Sequence, residues 1–555
     1  MNGRSSWVWI DYAAYDMGSW SAPTNTGDSP FLMGYFRRRF TAPANARLTL
    51  HVSADSRYIL WCNGVAVGRG PAKGDVRHQF FETYDLSAHL RDGENVLVAQ
   101  VVSFARARAF PSQSGAPNSI MTAAWLFAAE GDVVDANGNV VDTVDTDARW
   151  VAIPDRAYRW RHRENWGTYL GMLEEVHGAE YPWGWQQADF DDAAWKPVQA
   201  LHPTVSDAEV TGLDMHVPQV LTPRTIPMLE ETPMRFDGAA HVRLIHPTGT
   251  EGSAAECRAW TKAVIALIRD DRAVRIPANT KLSVTLWCDA LQTGFPEIAV
   301  EEGRGTRITA TYAEALTYGD GAIDQENWRD FKGNIEPRHA PDEGVVMGYW
   351  DEYISGGGAE SWEPILWRTF RYVRIEIETA EEPVTVTQLS YRFTGYPYEE
   401  RASFRSSDPG HARLWELSWR TARLCAHETY EDCPYYEQLQ YAGDTQVQAR
   451  IGYTVAADPR LARQAIRHFD WSREASGPPQ SRYPSRNPQY IPTWSMIWVM
   501  LVRDYWWHTG DVEETANRLP GISSTLSWFE RYENSDGLLE ALPGWKVVDW
   551  VAGWN

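Results

Sequence analysis

"SSDPGHARLWELSWRTARLCAHETYED", residues 406–432, is where the chain changes its period. Ser407-Asp408-Pro409 reads as a helix start, a polar cap followed by a proline whose fixed φ suits the first turn. Behind it Leu414, Leu417, Ala422, Leu424 and Cys425 are expected to form one apolar face. Further helices are expected at about 444–456, 459–474, 493–509 and 511–533. The break "HTGD" at 508–511 joins a glycine that can close one helix to an aspartate that can cap the next. The last third therefore reads as all-α, with about five helices.

Upstream of this switch the period is two. "FRYVRIEIE" (370–378) sets Val373, Ile375 and Ile377 against Arg374, Glu376 and Glu378, and "RGTRITATYAEAL" (304–316) follows the same rule. Nearer the N-terminus, "ARLTLHVSADSRYILWCNGVAVGRG" (46–70) turns Leu48, Leu50 and Val52 inward, resumes with Tyr58, Leu60 and Cys62, and reverses at Asn63-Gly64. "DGENVLVAQVVSF" (92–104) repeats the pattern behind Asp92-Gly93, and "WGWQQADFDDAAWKPV" (183–198) reads as a loop plus a short closing strand. Strands at this spacing suggest sandwiches of the jelly-roll type. The expected architecture is multidomain: two or more β-sandwiches followed by an all-α domain, divided at 1–235, 236–402 and 403–555. Between the strands, 317–362 is rich in Gly, Asp and Trp with weak periodicity, and a loop of that length is expected to be functional.

Composition narrows the function classes. A chain of 555 residues is too long for one core. Its net charge of −22 speaks against nucleic acid or an anionic membrane as partner, because both need a basic footprint. Twenty-eight Trp and twenty-five Tyr exceed ordinary core needs, and their rings suit the C–H-rich faces of sugars. The five cysteines show no metal-ligand spacing and no disulfide framework, so no metal and no cofactor are assigned. No apolar run approaches a membrane span and no leader pattern opens the chain, so a cytoplasmic, bacterial-type protein is expected.

The chemistry is concentrated in "EDCPYYEQLQYAGDTQ" (431–446), where Asp432, Glu437 and Asp444 lie five and seven residues apart beside Tyr435, Tyr436 and Tyr441. Neither spacing suits one helical face and Pro434 resists a helix, so a loop leading into a helix at Thr445 is expected. Crowded, partly desolvated carboxylates have raised pKa values, which a general acid needs near neutral pH. By composition alone the same loop reads equally as a solvated or capping cluster. "RNPQYIPTWSMIW" (486–498) and "GWKVVDWVAGWN" (544–555) place Trp494, Asp549 and Trp550 at helix ends, where they could meet the acidic loop on one rim of a helical barrel.

With these stretches in order, the chain resembles the α-L-rhamnosidases of glycoside hydrolase family 78. "RYILWCNGVAVGRGP" (57–71) is similar to the family's accessory sandwich, "FRYVRI" (370–375) to the end of its second sandwich, and the Asp432-Cys433-Pro434…Glu437…Gly443-Asp444 run to its acidic signature. The signature here is one residue shorter between its outer aspartates, and Tyr436 stands where arginine is usual. The resemblance implies inverting hydrolysis on an (α/α)6 barrel, with Glu437 as general acid. It also implies a substrate pocket of Asp432, Asp444, Tyr441, Trp494, Asp549 and Trp550, and a rhamnose-containing glycoside or a similar sugar as substrate. Twelve barrel helices need more residues than follow 406, and no residue here matches the family's general base. The expectation is therefore an incomplete barrel, a C-terminally truncated enzyme with weak or absent hydrolysis. Two other readings stand beside it: a non-catalytic carbohydrate-binding protein, and a different six-hairpin glycosidase.

Overall fold

The computed structural model describes residues 1, 3–11, 14, 31–105, 116–160, 170–205, 219–317 and 345–547. Most of the 317–362 loop lies outside the described residues.

Alternating strands build a first sandwich of two sheets. One runs in the order Gln199–Pro203, Ser6–Trp9, Leu126–Val134, Arg47–Asp55, Gln79–Asp85, Leu221–Pro223, and the other runs Lys196–Pro197, Val151–Pro154, Leu32–Ala42, Gly93–Ser103, Arg57–Cys62, Val65–Gly70. The inward set read from the sequence is the set that packs. Leu48, Leu50, Val52, Tyr58, Leu60 and Cys62 share one buried core with residues of the facing sheet. Asn63 and Gly64 both take positive φ at the hairpin tip, which matches the right-handed twist of the flanking strands.

An eleven-stranded sheet forms the second β-unit. Its axis is the 22-residue strand Lys281–Glu302. The first half of this strand pairs with Gly238–Ile245 and the end of Arg368–Glu378, and the second half pairs with Ala359–Trp362 and Val384–Gly395. The irregular step between Trp287 and Gln292 is where the strand passes from one set of neighbours to the other, as a corner in a folded sheet requires. Strands Tyr158–Trp160 and Glu174–His177 leave the first sandwich and join this sheet beside Trp350–Ile354.

Helix α1 (Ala254–Asp270) covers this sheet. Ser253 and Glu256 form its capping box, and it buries Val264, Leu267 and Ile268. The alternating reading of 240–400 had not included a helix.

Among the described residues five helices follow the switch at 406: α2 (Pro409–Leu424), α3 (Ala442–Val455), α4 (Arg460–Trp471), α5 (Pro492–Thr509) and α6 (Val512–Glu530). They form a bundle resembling part of an α/α barrel. The predicted punctuation is present. Asp408 caps α2 with Pro409 in the first turn, Gly510 closes α5 at a φ of 67°, and Asp511 accepts from the Glu514 amide to start α6. The apolar face expected on α2 is corrected. Leu414 and Leu417 are 61% and 48% exposed, whereas Trp419, Ala422 and Leu424 are buried. Exposure divides along the helix and not around it: 409–418 are exposed apart from the half-buried Trp415, and the buried positions Trp419, Ala422 and Leu424 all lie in its C-terminal half. Among the described residues no helix is long and apolar enough to cross a membrane.

Candidate active site

The segment between α2 and α3 passes through all three parts of the molecule. Arg57 of the first sandwich donates to both carboxylate oxygens of Glu428 at 2.7 Å. Burial alone would push Glu428 up, but Arg57 holds it below its ordinary value. Two residues before the signature, the buried Tyr430 amide donates to Gln440 Oε1 at 3.2 Å. Lys73 pairs with Glu431 at 3.4 Å, and Glu431 also meets His427 Nδ1 at 3.1 Å.

The second β-unit holds the middle of the loop. Tyr435 is buried in its core and donates to the Tyr312 carbonyl at 2.8 Å. Thr369 donates to the Pro434 carbonyl at 2.7 Å. An aromatic side chain buried this fully contributes about 1.5–3 kcal/mol, so the loop is anchored between Asp432 and Glu437.

The reversal is made by a local lattice of bonds. The Asp432 amide donates to the Leu439 carbonyl at 2.9 Å, and the Leu439 amide returns a bond to Asp432 Oδ1 at 3.2 Å. Gln438 turns the chain at a φ of 54°, a left-handed conformation uncommon outside glycine. Helix α3 then starts at Ala442, three residues earlier than expected, with Tyr441 at its N-cap. Asp444 therefore lies in the first helical turn, where the exposed amides favour a negative charge.

Asp432, Glu437 and Asp444 come together electrostatically. Burial raises the Asp432 carboxyl well above its ordinary value, and the neighbouring Glu437 and Asp444 charges raise it further. Tyr441 donates to Glu437 Oε2 at 3.1 Å, and Arg482 donates to the Tyr441 hydroxyl at 2.8 Å. The guanidinium of Arg482 also lies 5.6 Å from the Tyr441 ring centre. Arg482 was absent from the sequence reading. It is carried by the segment after α4, and its isolated bridge to Tyr441 joins residues 41 apart. Local spacing gives no signal for such a contact.

Behind the loop, Gln440 donates to the Tyr483 carbonyl at 2.7 Å and meets His468 Nδ1 at 3.2 Å. Burial pushes His468 down to about 3, so the ring is neutral and Nδ1 is free to accept from the amide. Tyr483 donates to Asp75 of the first sandwich at 2.6 Å. Trp494, in the first turn of α5, packs its indole over Gly443, so that a β-carbon at 443 would lie 2.9–3.2 Å from the ring. Asp549 and Trp550 lie outside the described residues. Burial pushes the Cys425 thiol up to about 12, which makes it an inert packing group and not a nucleophile. Among the described residues no three His, Cys, Asp or Glu side chains form a metal-binding group.

The arrangement joins a carboxyl with a raised pKa, a second carboxylate with a tyrosine on it, and an indole at one helix start. Such a set can donate a proton and hold a polyhydroxylated ring.

Comparison with known proteins agrees along most of the chain. An α-L-rhamnosidase N-terminal domain matches residues 43–216, a bacterial α-L-rhamnosidase concanavalin-like domain matches 290–394, and a bacterial α-L-rhamnosidase six-hairpin glycosidase domain matches 399–554. A family 78 rhamnosidase of Bacillus sp. GL1 has the same fold, with a TM-score of 0.76 at 19% identity over 99% of this chain and 71% of its own. An Aspergillus terreus α-L-rhamnosidase gives 0.66 at 17% identity, over 97% of this chain and 53% of its own. A Streptomyces avermitilis α-L-rhamnosidase, solved with L-rhamnose, gives 0.64 at 18% identity, over 93% and 44%. The chain thus spans about half the length of the last two. No curated protein matches it. The matched domains and the shared fold together establish that the chain belongs to the α-L-rhamnosidase-like proteins of glycoside hydrolase family 78.

Proposed function

We propose that the site removes terminal α-L-rhamnose, or a closely similar sugar, from glycosides by inverting acid/base hydrolysis. The observation that carries this reading is the convergence of Asp432, Glu437 and Asp444 at the start of α3, with Asp432 raised by burial and by the other two. Glu437 is the proton donor to the departing glycosidic oxygen. Its Oε2 is oriented by the Tyr441 hydroxyl, which Arg482 holds in turn. Asp432, protonated over a wider pH range than an ordinary aspartate, donates to one sugar hydroxyl, and Asp444 accepts from another. Trp494 supplies an apolar face at the same rim, and Asp549 and Trp550, outside the described residues, are assigned to the same sugar by the family resemblance.

Inversion requires a second carboxylate about 6.5–9.5 Å from the acid, with water between them. No described residue is assigned to that role. The L-rhamnose in the Streptomyces relative supports the choice of sugar.

A panel of p-nitrophenyl glycosides offered to the chain tests the reading. The α-L-rhamnoside should be the preferred member, and turnover should fall about 10²–10⁴-fold in Glu437→Gln while sugar binding persists. Preference for an unrelated glycoside, or binding without cleavage that is insensitive to Glu437→Gln, would favour a different glycosidase or a non-catalytic binder.

A further inference from the structure

A cavity of about 920 Å3 lies away from the three carboxylates, where the first sandwich, the second β-unit and the lead into α3 meet. Of the acidic loop only Gln438 reaches it, and none of Asp432, Glu437 and Asp444 lines it. The volume is that of an ordinary small-molecule site.

Its walls combine two chemistries. The first is aromatic: Trp61, Tyr181, Trp183 and Trp367 line it from three segments, and all four are only partly buried. Tyr181 and Trp183 pack 4.6 Å apart, and Trp367 stacks on His427 at 3.9 Å with the planes 10° apart, so these faces are fixed. The second is a closed network of ion pairs. Arg69 and Arg392 both bond Glu231 at 3.1 Å, both also bond Glu363, and Arg392 bonds Glu297. Burial would push Glu363 up, yet Arg69 and Arg392 hold it below its ordinary value.

This charge balance decides the ligand class. Arg57, Lys73 and Arg224, which also line the cavity, are paired with Glu428, Glu431 and Glu82, and cations already paired with carboxylates offer no excess for a phosphate or carboxylate guest. A wall with this much charge does not suit a lipid chain. What remains are flat apolar faces beside the carboxylate and guanidinium groups of the network. A neutral, polyhydroxylated ring meets both needs, with its C–H face on an indole and its hydroxyls on the carboxylates and guanidinium groups.

We propose that this cavity is a second carbohydrate site, taking a neutral oligosaccharide independently of the acidic loop. It does not depend on Glu437 acting as an acid, so the two can fail separately.

Screening the chain against an array of neutral, sulfated and uronic-acid glycans, then titrating the best-bound neutral glycan by calorimetry, tests the proposal. Trp183→Ala removes one stacking face. Ala66→Trp, on an exposed strand position opposite Trp61, blocks the space without disturbing the core. Each should weaken binding about tenfold or more with an unchanged circular dichroism spectrum, whereas Glu437→Gln should leave the affinity within about twofold. The proposal is overturned if no neutral glycan binds, if charged glycans bind better, or if binding is lost in Glu437→Gln and kept in Ala66→Trp.

Discussion

Burial and the nearby Glu437 and Asp444 charges raise the Asp432 carboxyl above its ordinary value of 3.8, so the folded chain holds a proton there that the unfolded chain releases. The resulting destabilisation is absent below the unfolded value, grows as pH rises toward the folded one, and is fully present above it. Asp432→Asn should therefore raise the melting temperature at pH 8, with the gain shrinking to nothing toward pH 3.8, as read by thermal unfolding across that range. A gain independent of pH would disconnect the stability from this proton. Gly443 makes a second prediction at this scale. Its missing side chain is the space that the Trp494 indole occupies, so Gly443→Ala should shift the indole, changing tryptophan fluorescence and weakening sugar binding about tenfold. The candidate site was legible as a cluster where it is contiguous: Asp432, Glu437, Tyr441 and Asp444 fall within one loop and helix start. Arg482 was not, because only the fold brings it to Tyr441.

Among the elements, the helices announced by caps were the most legible, since Asp408-Pro409 and Gly510-Asp511 act through local backbone geometry. Helix α1 carried a similar signal in Ser253 and Glu256, but it sits inside a region whose strands dominate the pattern. Apolar residues on α2 were visible, while the half of the helix that packs was not, because that depends on where the neighbouring elements lie. The segment joining α2 to α3 gives the clearest energetic prediction. Arg57→Met would leave Glu428 buried without its partner, at a cost of about 3–5 kcal/mol in denaturant unfolding. Adding Glu428→Met to that variant should restore much of the loss. If the single variant unfolds like the parent, the pair does not hold the segment in place.

At the scale of the whole molecule, the acidic loop is positioned by parts that are distant in sequence. Lys73 reaches it from the first sandwich, Tyr312 and Thr369 from the second β-unit, and Tyr483, itself bonded to Asp75 of the first sandwich, from the helical bundle. The fold thereby turns an acid-rich loop, unremarkable by composition, into a rigid set of groups at one helix start. The central claim is that Glu437 gives its proton to the leaving oxygen. Its most direct test is hydrolysis of α-L-rhamnosides whose leaving groups range from 2,4-dinitrophenol to methanol, in the parent chain and in Glu437→Gln. Loss of a proton donor should cost about 10²–10⁴-fold with the poorly departing alcohols and far less with dinitrophenol. Equal losses across the series, or none, would contradict the assignment.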